Sequence, residues 1–445
     1  MPAVSNDAQR SGISGWVPGI LVVLLLALHL TQLFSPLRLN TDAVKLLSMA
    51  VSASEGNGFL LNGKAAQLPS GYPFVVVCLM KAGLGHAVWL NALNWFCMAA
   101  GTACFALYLR KIARASTSES LAMMALVLSS WVIIKHEAIP LSDLLYFLLV
   151  QACLLLAGLG RTSTGAGRAL GYGGALLLAC LSPWVRTAGL SLILAGIFAQ
   201  AIFWMRMRTA TTGKSVPPLM FFTAAGLAVT ALFLCWAFIL KHRVEGERSY
   251  LDILIRQFHK GPVPENMGLI IQLRCSEIAG LFLNLPGSKI HFPSLFLQVA
   301  GLFLCIPVLG ACFRKIGDNI ELAAYLAIYA LILSVWPFAD ARFFIPVLPS
   351  LIWLAYLGIR EWVPGKYRDL LLKGGFAYFI ATGLIALAYS CWLSFSAESF
   401  PIRYGDGSYR ESYKAAWGQA ADAARIKPDV VKLLKQFEPR AQEGR

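Results

Sequence analysis

Residues Trp16 to Phe34 read WVPGILVVLLLALHLTQLF, an apolar run without Asp, Glu, Lys or Arg. An α-helix rises about 1.5 Å per residue, so a run of this length crosses a hydrocarbon core of roughly 30 Å. No small-residue cleavage site leads from the run into polar sequence, so we interpret it as an uncleaved membrane helix and not as a signal peptide. This segment therefore predicts a membrane protein.

Apolar runs of comparable length recur to the end of the chain, and they predict an all-α, polytopic membrane protein with about eleven transmembrane helices. After Trp16–Phe34 the predicted spans are Val88–Leu109, Leu121–Ile134, Leu141–Leu159, Leu170–Pro183, Ala188–Met205, Leu219–Leu240, Leu295–Phe313, Ile320–Trp336, Phe343–Ile359 and Leu370–Phe395. The span Leu170–Pro183 is short, and we expect Pro183 to break it as it approaches Arg186.

The composition agrees with this class. A soluble domain carries about a quarter charged residues, whereas this chain has 14% charged and 58% hydrophobic residues and a mean hydropathy of +0.65. The formal net charge of +15 fits a membrane surface, and because no basic cluster is interleaved with aromatic residues we predict no nucleic-acid partner. The ten cysteines are scattered singly without a CxxC pair, which indicates small core residues and neither a disulfide framework nor a zinc site.

Basic residues mark alternate connections between the predicted spans. They are Arg110–Arg114, Arg161–Arg168, Arg206–Lys214, Arg314–Lys315 and Arg360–Arg368. If the N-terminus is cytoplasmic, all of these connections lie inside, as the positive-inside rule requires. The same topology leaves three longer segments on the extracytoplasmic side.

The first extracytoplasmic segment, 35–85, contains two candidate interfacial helices. Thr41–Ser54 is mildly amphipathic. PSGYPFVVVCLMKAG (69–83) is apolar but interrupted by prolines, which favours an interfacial or re-entrant helix and leaves a twelfth span open. The second segment is 241–293, and the third is a polar, basic tail in which we find no strong core pattern. The predicted units are a transmembrane domain, 1–396, and the extracytoplasmic tail, 397–445.

Charged side chains gather at the outer boundary of the predicted spans, although they lie far apart along the chain. At a helix centre such residues cost roughly 2.5–3.5 kcal/mol each, so a group confined to one boundary indicates a polar site between helices. The alternative for each residue is that it caps a helix or reaches the headgroups. Asp42, for example, begins a helix that Asn40 or Thr41 can also cap. The candidates are Asp42, Lys135, His136, Glu137, Asp143, Arg186, Asp340 and Arg342.

Several motifs, in a fixed order, carry a resemblance to a known family. They are NTDAVKLLSMAVSASEGNGF (40–59) with its early Asp, the Tyr-Pro turn LPSGYPFVVVCL (68–79), the acidic pair in KHEAIPLSDLLYFLL (135–149), the Arg-Thr-x-Gly turn VRTAGL (185–190) and the arginine-led WPFADARFFIPVLP (336–349). From the first span to about residue 357, the pattern resembles the GT-C glycosyltransferases, in particular the bacterial relatives of protein O-mannosyltransferases and of the lipid A aminoarabinose transferase. One departure is Ala43 after Asp42, where the protein mannosyltransferases carry an acidic pair, and it leaves the acceptor type and any metal requirement open.

The resemblance implies inverting transfer of a sugar, hexosyl or pentosyl, from a polyprenyl-phosphate donor to a hydroxyl of a lipid, glycan or protein acceptor. It also implies a multi-pass protein among the lipids of the bacterial cytoplasmic (inner) membrane, with its active site on the extracytoplasmic side.

The chemistry of the candidate residues fits this reaction. Asp42 is the predicted general base, because a positioned carboxylate accepts the proton of an attacking hydroxyl. Arg186 and Arg342 suit the leaving phosphate, since a guanidinium grips phosphate oxygens at two points. Lys45, one helical turn beyond Asp42, can assist them.

Five further residues are predicted to bind substrate: Tyr72, His136, Glu137, Asp143 and Asp340. Tyr72 suits stacking on the sugar but equally an interfacial aromatic belt. His136 at a helix end equally faces water. The carboxylates leave room for a divalent metal, but no ligand spacing supports one, so no cofactor is predicted.

Two other functions stay open at this point. A transporter or flippase of a lipid-linked or anionic substrate also needs many spans, but it places ionisable residues near the midplane on broken helices. Here the span centres are nearly free of charge. A ligase that moves a whole glycan from a lipid carrier needs the same outer-face arginines. The glycosyltransferase hypothesis requires Asp42, Arg186 and Arg342 to line one cavity.

Overall fold

The computed structural model describes residues 16–66, 68–210, 226, 263–285, 293–315, 319–336, 338–396, 400–404 and 409–438. Within these ranges the chain is almost wholly helical, and its β-structure is a single antiparallel hairpin of β1 (Leu60–Leu61) and β2 (Lys64–Ala65).

The helices are numbered over the described residues alone. They are α1 Val17–Leu30, α2 Thr41–Ser54, α3 Gly71–Lys81, α4 Ala87–Lys111, α5 Thr117–Leu128, α6 Trp131–Glu137, α7 Ser142–Thr162, α8 Gly165–Val185, α9 Leu190–Ala210, α10 Val263–Phe282, α11 Ser294–Lys315, α12 Ile320–Val335, α13 Leu348–Trp362, α14 Gly365–Phe395, α15 Phe400–Tyr404, α16 Arg410–Ala416 and α17 Pro428–Phe437. Short 3₁₀ turns lie at Thr31–Phe34, Thr187–Gly189, Ala341–Phe344 and Ala423–Arg425.

Five helical segments of the described chain are long and apolar enough to cross a membrane, which confirms an all-α integral membrane protein. They are Val17–Phe34, Ala87–Lys111, Ser142–Thr162, Ser294–Cys312 and Gly365–Phe395. The pair α5 and α6 makes a sixth if it forms one span. The count of eleven is therefore not confirmed, although each predicted span within the described residues is helical over most of its length. The predicted span Leu219–Leu240 lies outside them, apart from Gly226.

The predicted span Leu121–Ile134 is not one straight helix, because α5 and α6 meet at a bend of 57°. Ser129 and Ser130 form the break between them. The buried side chain of Asn284, which follows α10, holds this break, since its Nδ2 donates to the carbonyl of Ser129 (3.0 Å) and its Oδ1 accepts from the backbone N–H of Trp131 (2.8 Å). The backbone N–H and C=O groups of Ser129 and Ser130 are therefore all hydrogen-bonded, although the helix is interrupted there.

Pro183 does not break α8 where the sequence predicted a weak span. The helix begins earlier, at Gly165, and continues through Pro183 to Val185. Proline cannot donate to the carbonyl four residues before it, here that of Ala179. The hydroxyl of Ser182 donates to that carbonyl instead (2.7 Å), so the last turn of α8 keeps its hydrogen bonding up to Arg186.

The loop after the first span folds as the amphipathic pattern predicted, with α2 over Thr41–Ser54. The apolar stretch after it forms the 11-residue helix α3, too short for a span of about 20 residues. Gly71 at its start lies against α8, where a Cβ would stand 2.6 Å from the carbonyl oxygen of Trp184. Only glycine allows this approach, so α3 is pinned to the end of α8.

The tail contains a core that sequence reasoning missed, although Val430, Leu433, Leu434 and Phe437 recur at the spacing of one face of an amphipathic helix. Helices α15 to α17 bury Phe400, Tyr413, Leu434 and Phe437 against Leu47 and neighbouring residues of α2. Each of these helices is too short to be stable alone, so the core exists only through packing on the first loop. The tail therefore supports the helix that begins with Thr41.

Candidate active site

A cavity of about 660 Å³ lies where α2, α7, the end of α8 and the end of α12 converge. Its charged lining residues are Asp42, Lys45, Asp143, Arg186, Asp340 and Arg342. The cavity thus brings together six of the predicted site residues, which are separated by as many as 300 positions in the chain. Asp42, Arg186 and Arg342 are among them, which is the arrangement that the glycosyltransferase hypothesis requires.

Asp42 enters the cavity from the first turn of α2. Asn40 is the N-cap of this helix, since its Oδ1 accepts from the backbone N–H of Ala43 (2.8 Å). Asp42 therefore does not serve as the cap, and its side chain, 35% exposed, is free to face the cavity. The positive end of the helix dipole favours a carboxylate at this position.

Arg342 is held between two carboxylates. It forms an ion pair with Asp42, and its Nε lies 3.0 Å from Asp340. Asp340 also accepts from the backbone N–H of Arg342 (3.1 Å) and so caps the turn Ala341–Phe344. Burial lowers the pKa of Arg342, but Asp143, Asp42 and Asp340 outweigh it and raise that pKa above its ordinary value. The guanidinium is therefore charged at every physiological pH.

Arg186 makes the second ion pair of the cavity, with Asp143, which begins α7 and is 2% exposed. Burial lowers the pKa of Arg186, but Asp143 together with Tyr329 and Tyr146 outweighs burial, so this pKa lies above its ordinary value. The guanidinium carbons of Arg186 and Arg342 lie 5.2 Å and 5.3 Å from the ring centroid of Phe343. A ring between two cations gains from both, and the hydroxyl of Tyr329 donates to the Phe343 carbonyl (2.6 Å), which fixes that ring's backbone.

Lys45 differs from the two arginines. It lies on α2, three residues after Asp42 and hence on the same face of the helix. Within the part of the chain that the structure describes, Lys45 has no ion-pair partner. The described part of the lining carries three carboxylates and three cations, and its ion pairs are formed by the two arginines and not by Lys45.

Three predicted site residues do not line the cavity. Tyr72 is fully buried in the core of the first loop. His136 is buried rather than facing water, and its Nδ1 lies 2.7 Å from the carbonyl of Val132 one turn back. Lys135, beside it, places its ammonium 5.9 Å from the ring centroid of Trp131.

Glu137 is the third, and it belongs to a separate buried pair. Its carboxylate lies 2.5 Å from Nδ1 of His29 on the first span. Nε2 of His29 lies 2.9 Å from the carbonyl of Leu128, and since a carbonyl only accepts, Nε2 carries a proton. A hydrogen bond joins Nδ1 to the Glu137 carboxylate. This pair ties α1 to both halves of the bent segment, and among the described residues Oε1 of Glu137 has no hydrogen-bond partner.

Sequence reasoning missed the aromatic part of the cavity lining. Trp336, Phe338 and Phe343 border the space together with Leu68 and Pro69. A run such as WPFADARFF in an apolar protein has no local feature that separates lining aromatics from lipid-facing ones. Among the described residues, no group of three or more His, Cys, Asp or Glu side chains is placed to hold a metal ion.

The chain is similar to known proteins in its structure and not in its sequence. No family model matches the chain, and no curated protein matches it in sequence. The structure is similar to that of ArnT from Cupriavidus metallidurans bound to undecaprenyl phosphate, with a TM-score of 0.56 and 11% sequence identity over 97% of this chain and 87% of that one. The chain therefore shares its fold with ArnT, which is a GT-C glycosyltransferase.

Two further structures share the GT-C fold with this chain. ArnT from the same organism in the apo state gives a TM-score of 0.50 with 14% identity, over 97% of this chain and 75% of that one. The apo oligosaccharyltransferase from Archaeoglobus fulgidus gives 0.50 with 12% identity, over 96% of this chain and 61% of that one. At such identities the likeness establishes the fold, and activity has to be argued from the cavity.

Proposed function

We propose that this protein is a glycosyltransferase that moves a sugar from a polyprenyl-phosphate donor to an acceptor hydroxyl, with inversion at the anomeric carbon. The observation that carries the proposal is the meeting of a carboxylate, Asp42, with the cations Lys45, Arg186 and Arg342 in one cavity. The similar ArnT structure is described as bound to undecaprenyl phosphate, which supports the class of donor.

Asp42 acts as the general base in this proposal. The acceptor oxygen attacks the anomeric carbon and passes its proton to the Asp42 carboxylate. The bond between the anomeric carbon and the phosphate oxygen breaks, and its electron pair leaves with the lipid phosphate. One attack on the face opposite the leaving group inverts the configuration.

The cations receive the leaving group in two stages. Lys45, which has no ion-pair partner among the described residues, attracts the donor phosphate first. The phosphate then competes with Asp42 for Arg342, and the exchange releases the Asp42 carboxylate for the proton. Arg186, paired with Asp143, stabilises the charge that develops on the phosphate as the bond breaks. Donor binding therefore precedes activation of the acceptor.

The remaining lining suits a sugar and a lipid. Asp340 and Asp143 have carboxylate oxygens that can accept from sugar hydroxyls, and the rings of Trp336, Phe338 and Phe343 offer stacking and apolar surface. Tyr72, His136 and Glu137 have no part in the proposal, because each is buried outside the lining.

The proposed membrane arrangement keeps the predicted topology. It has eleven spans, a cytoplasmic N-terminus, the cavity at the extracytoplasmic face of a bacterial cytoplasmic membrane, and the units 1–396 and 397–445. Short basic connections such as Arg110–Arg114 support this orientation.

The test is transfer by the purified protein in lipid. Polyprenyl-monophosphate hexoses and pentoses are supplied with lipid, glycan and peptide acceptors, and product configuration is read by NMR. We expect turnover with a monophosphate donor and an inverted product. Turnover with pyrophosphate-linked glycans alone would indicate the glycan ligase, and inactivity across the whole panel would remove the proposal.

One observation favours a transporter instead. The bent segment α5–α6 and the buried His29–Glu137 pair resemble the broken helix and buried ionisable groups of transporters. Against it, His29 is hydrogen-bonded to Glu137 and to the carbonyl of Leu128, and neither residue of the pair lines the cavity. Flux of a lipid-linked or anionic solute into liposomes, abolished by Glu137→Gln, would support the transporter.

A further inference from the structure

Arg274 on α10 lies behind one wall of the cavity and is 7% exposed. Its Nε donates to the carbonyl oxygen of Leu333 (3.1 Å), and its Nη2 donates to those of Trp336 (2.8 Å) and Phe338 (2.6 Å). Nη1 pairs with Glu277 on the same helix. One buried guanidinium thus joins α10 to three backbone carbonyls of another segment.

These carbonyls belong to the end of α12 and the chain beyond it. The last carbonyls of a helix have no partner within the helix and carry the negative end of its dipole, so they attract a cation. The cavity lining includes Leu333, Trp336 and Phe338, and the chain then continues to Asp340 and Arg342. A contact that holds these carbonyl groups in place therefore also determines the position of Arg342.

We infer that Arg274 is a positioning residue for the candidate active site: it clamps the wall from Leu333 to Phe338 and thereby sets the place where Arg342 meets Asp42 and the donor phosphate. Its role in turnover rests on the proposed function. Arg274 does not line the cavity, so it acts through that wall and not on the substrate.

The decisive variant is Arg274→Lys. It keeps the charge and the partner Glu277, but a single ammonium cannot reproduce the planar fork that reaches three carbonyls. A misplacement of about 1 Å in a reacting group can cost about 10²-fold in rate, so we expect kcat to fall by about 10 to 10²-fold with a much smaller change in the KM for donor. The matched control is Gln272→Leu, an exposed residue on the same helix, for which both constants should stay at wild-type values.

A second readout does not depend on turnover. In a background without native cysteines, Ala339→Cys places a thiol in the cavity lining beside the clamped chain. We expect Arg274→Lys to change the rate at which a water-soluble thiosulfonate modifies this thiol, and Gln272→Leu to leave it unchanged. If the wild type is inert with every donor while this rate still responds, the positioning role stands and the proposed function fails.

Two results would overturn the inference. A loss confined to the donor KM, with kcat intact, would make Arg274 a substrate ligand. A lowered melting temperature with unchanged kcat and unchanged thiol modification would reduce it to a helix cap with no role at the site.

Discussion

Asp42→Asn separates the catalytic role of this carboxylate from a structural one. The substitution preserves the size of the side chain but removes the proton acceptor and the charge that pairs with Arg342. Asn40 keeps its cap on α2, and Arg342 keeps Asp340 at 3.0 Å. No buried charge is left without a partner, so the variant should fold.

The structural role and the catalytic role of Asp42 predict effects of very different size. The Asp42 side chain is 35% exposed, so its ion pair contributes about 1 kcal/mol or less to the free energy of unfolding. Loss of a general base lowers the rate by about 10²–10⁴-fold, which is about 2.7–5.5 kcal/mol at the barrier. A structural role thus predicts nearly normal turnover, and the catalytic role predicts near-complete loss.

The assay measures kcat, the KM for donor and the melting temperature of the purified protein in lipid. Asp369→Asn is the matched control, because Asp369 is an exposed aspartate beside Arg368, far from the cavity lining. We expect the control to behave as wild type and Asp42→Asn to lose kcat while still binding donor. Wild-type turnover by a folded Asp42→Asn variant would refute the base role.

Four other predictions follow from the same contacts. Arg342→Lys should lose much of the turnover and Arg342→Ala about 10²–10³-fold, as for loss of one preorganised donor; unchanged kinetics would leave Arg342 a helix-end anchor. Tyr413→Phe removes the hydroxyl that accepts from the N–H of Leu39 and donates to the carbonyl of Leu37, just before α2. The free energy of unfolding should therefore fall by about 1–3 kcal/mol, whereas Tyr367→Phe, at an exposed position, should leave the melting temperature unchanged. Glu137→Gln should lower the melting temperature but spare the turnover of the folded fraction; abolished turnover at full stability would return Glu137 to the site. In intact cells an impermeant thiol reagent should label a cysteine at Asn57 and not at Arg114, and the reverse pattern would invert the topology.

The helices could be predicted because they depend on local sequence. The bounds of α2 agree with the predicted Thr41–Ser54 because one side chain, Asn40, determines the start. The bend between α5 and α6 could not be foreseen, since Asn284, which holds it, lies 155 residues from Ser129. Helix positions follow from neighbouring residues, and helix distortions follow from partners that the fold brings together.

Only part of the candidate site could be predicted from the sequence. The cost of placing charge near hydrocarbon selects Asp42, Asp143, Arg186 and Arg342 from sequence alone. Whether a charge at a helix end faces a cavity or a neighbouring helix depends on how the helix is rotated, which its sequence does not state. Glu137 shows this, because His29, the group it faces, lies 108 residues away.

The pairing of both cavity arginines with aspartates has a chemical consequence. Two unpaired guanidinium groups at the membrane boundary would cost folding free energy, so each is paired with an aspartate before any substrate arrives. The same pairing holds the arginines in place, and a donor phosphate can then exchange for a carboxylate without much reorganisation. In the proposed reaction this exchange weakens donor affinity, because the phosphate displaces an existing partner, and the ammonium of Lys45, which has no ion-pair partner among the described residues, supplies the net attraction. Removing Lys45 should therefore affect donor binding first, whereas removing Asp42 affects the bond-forming step.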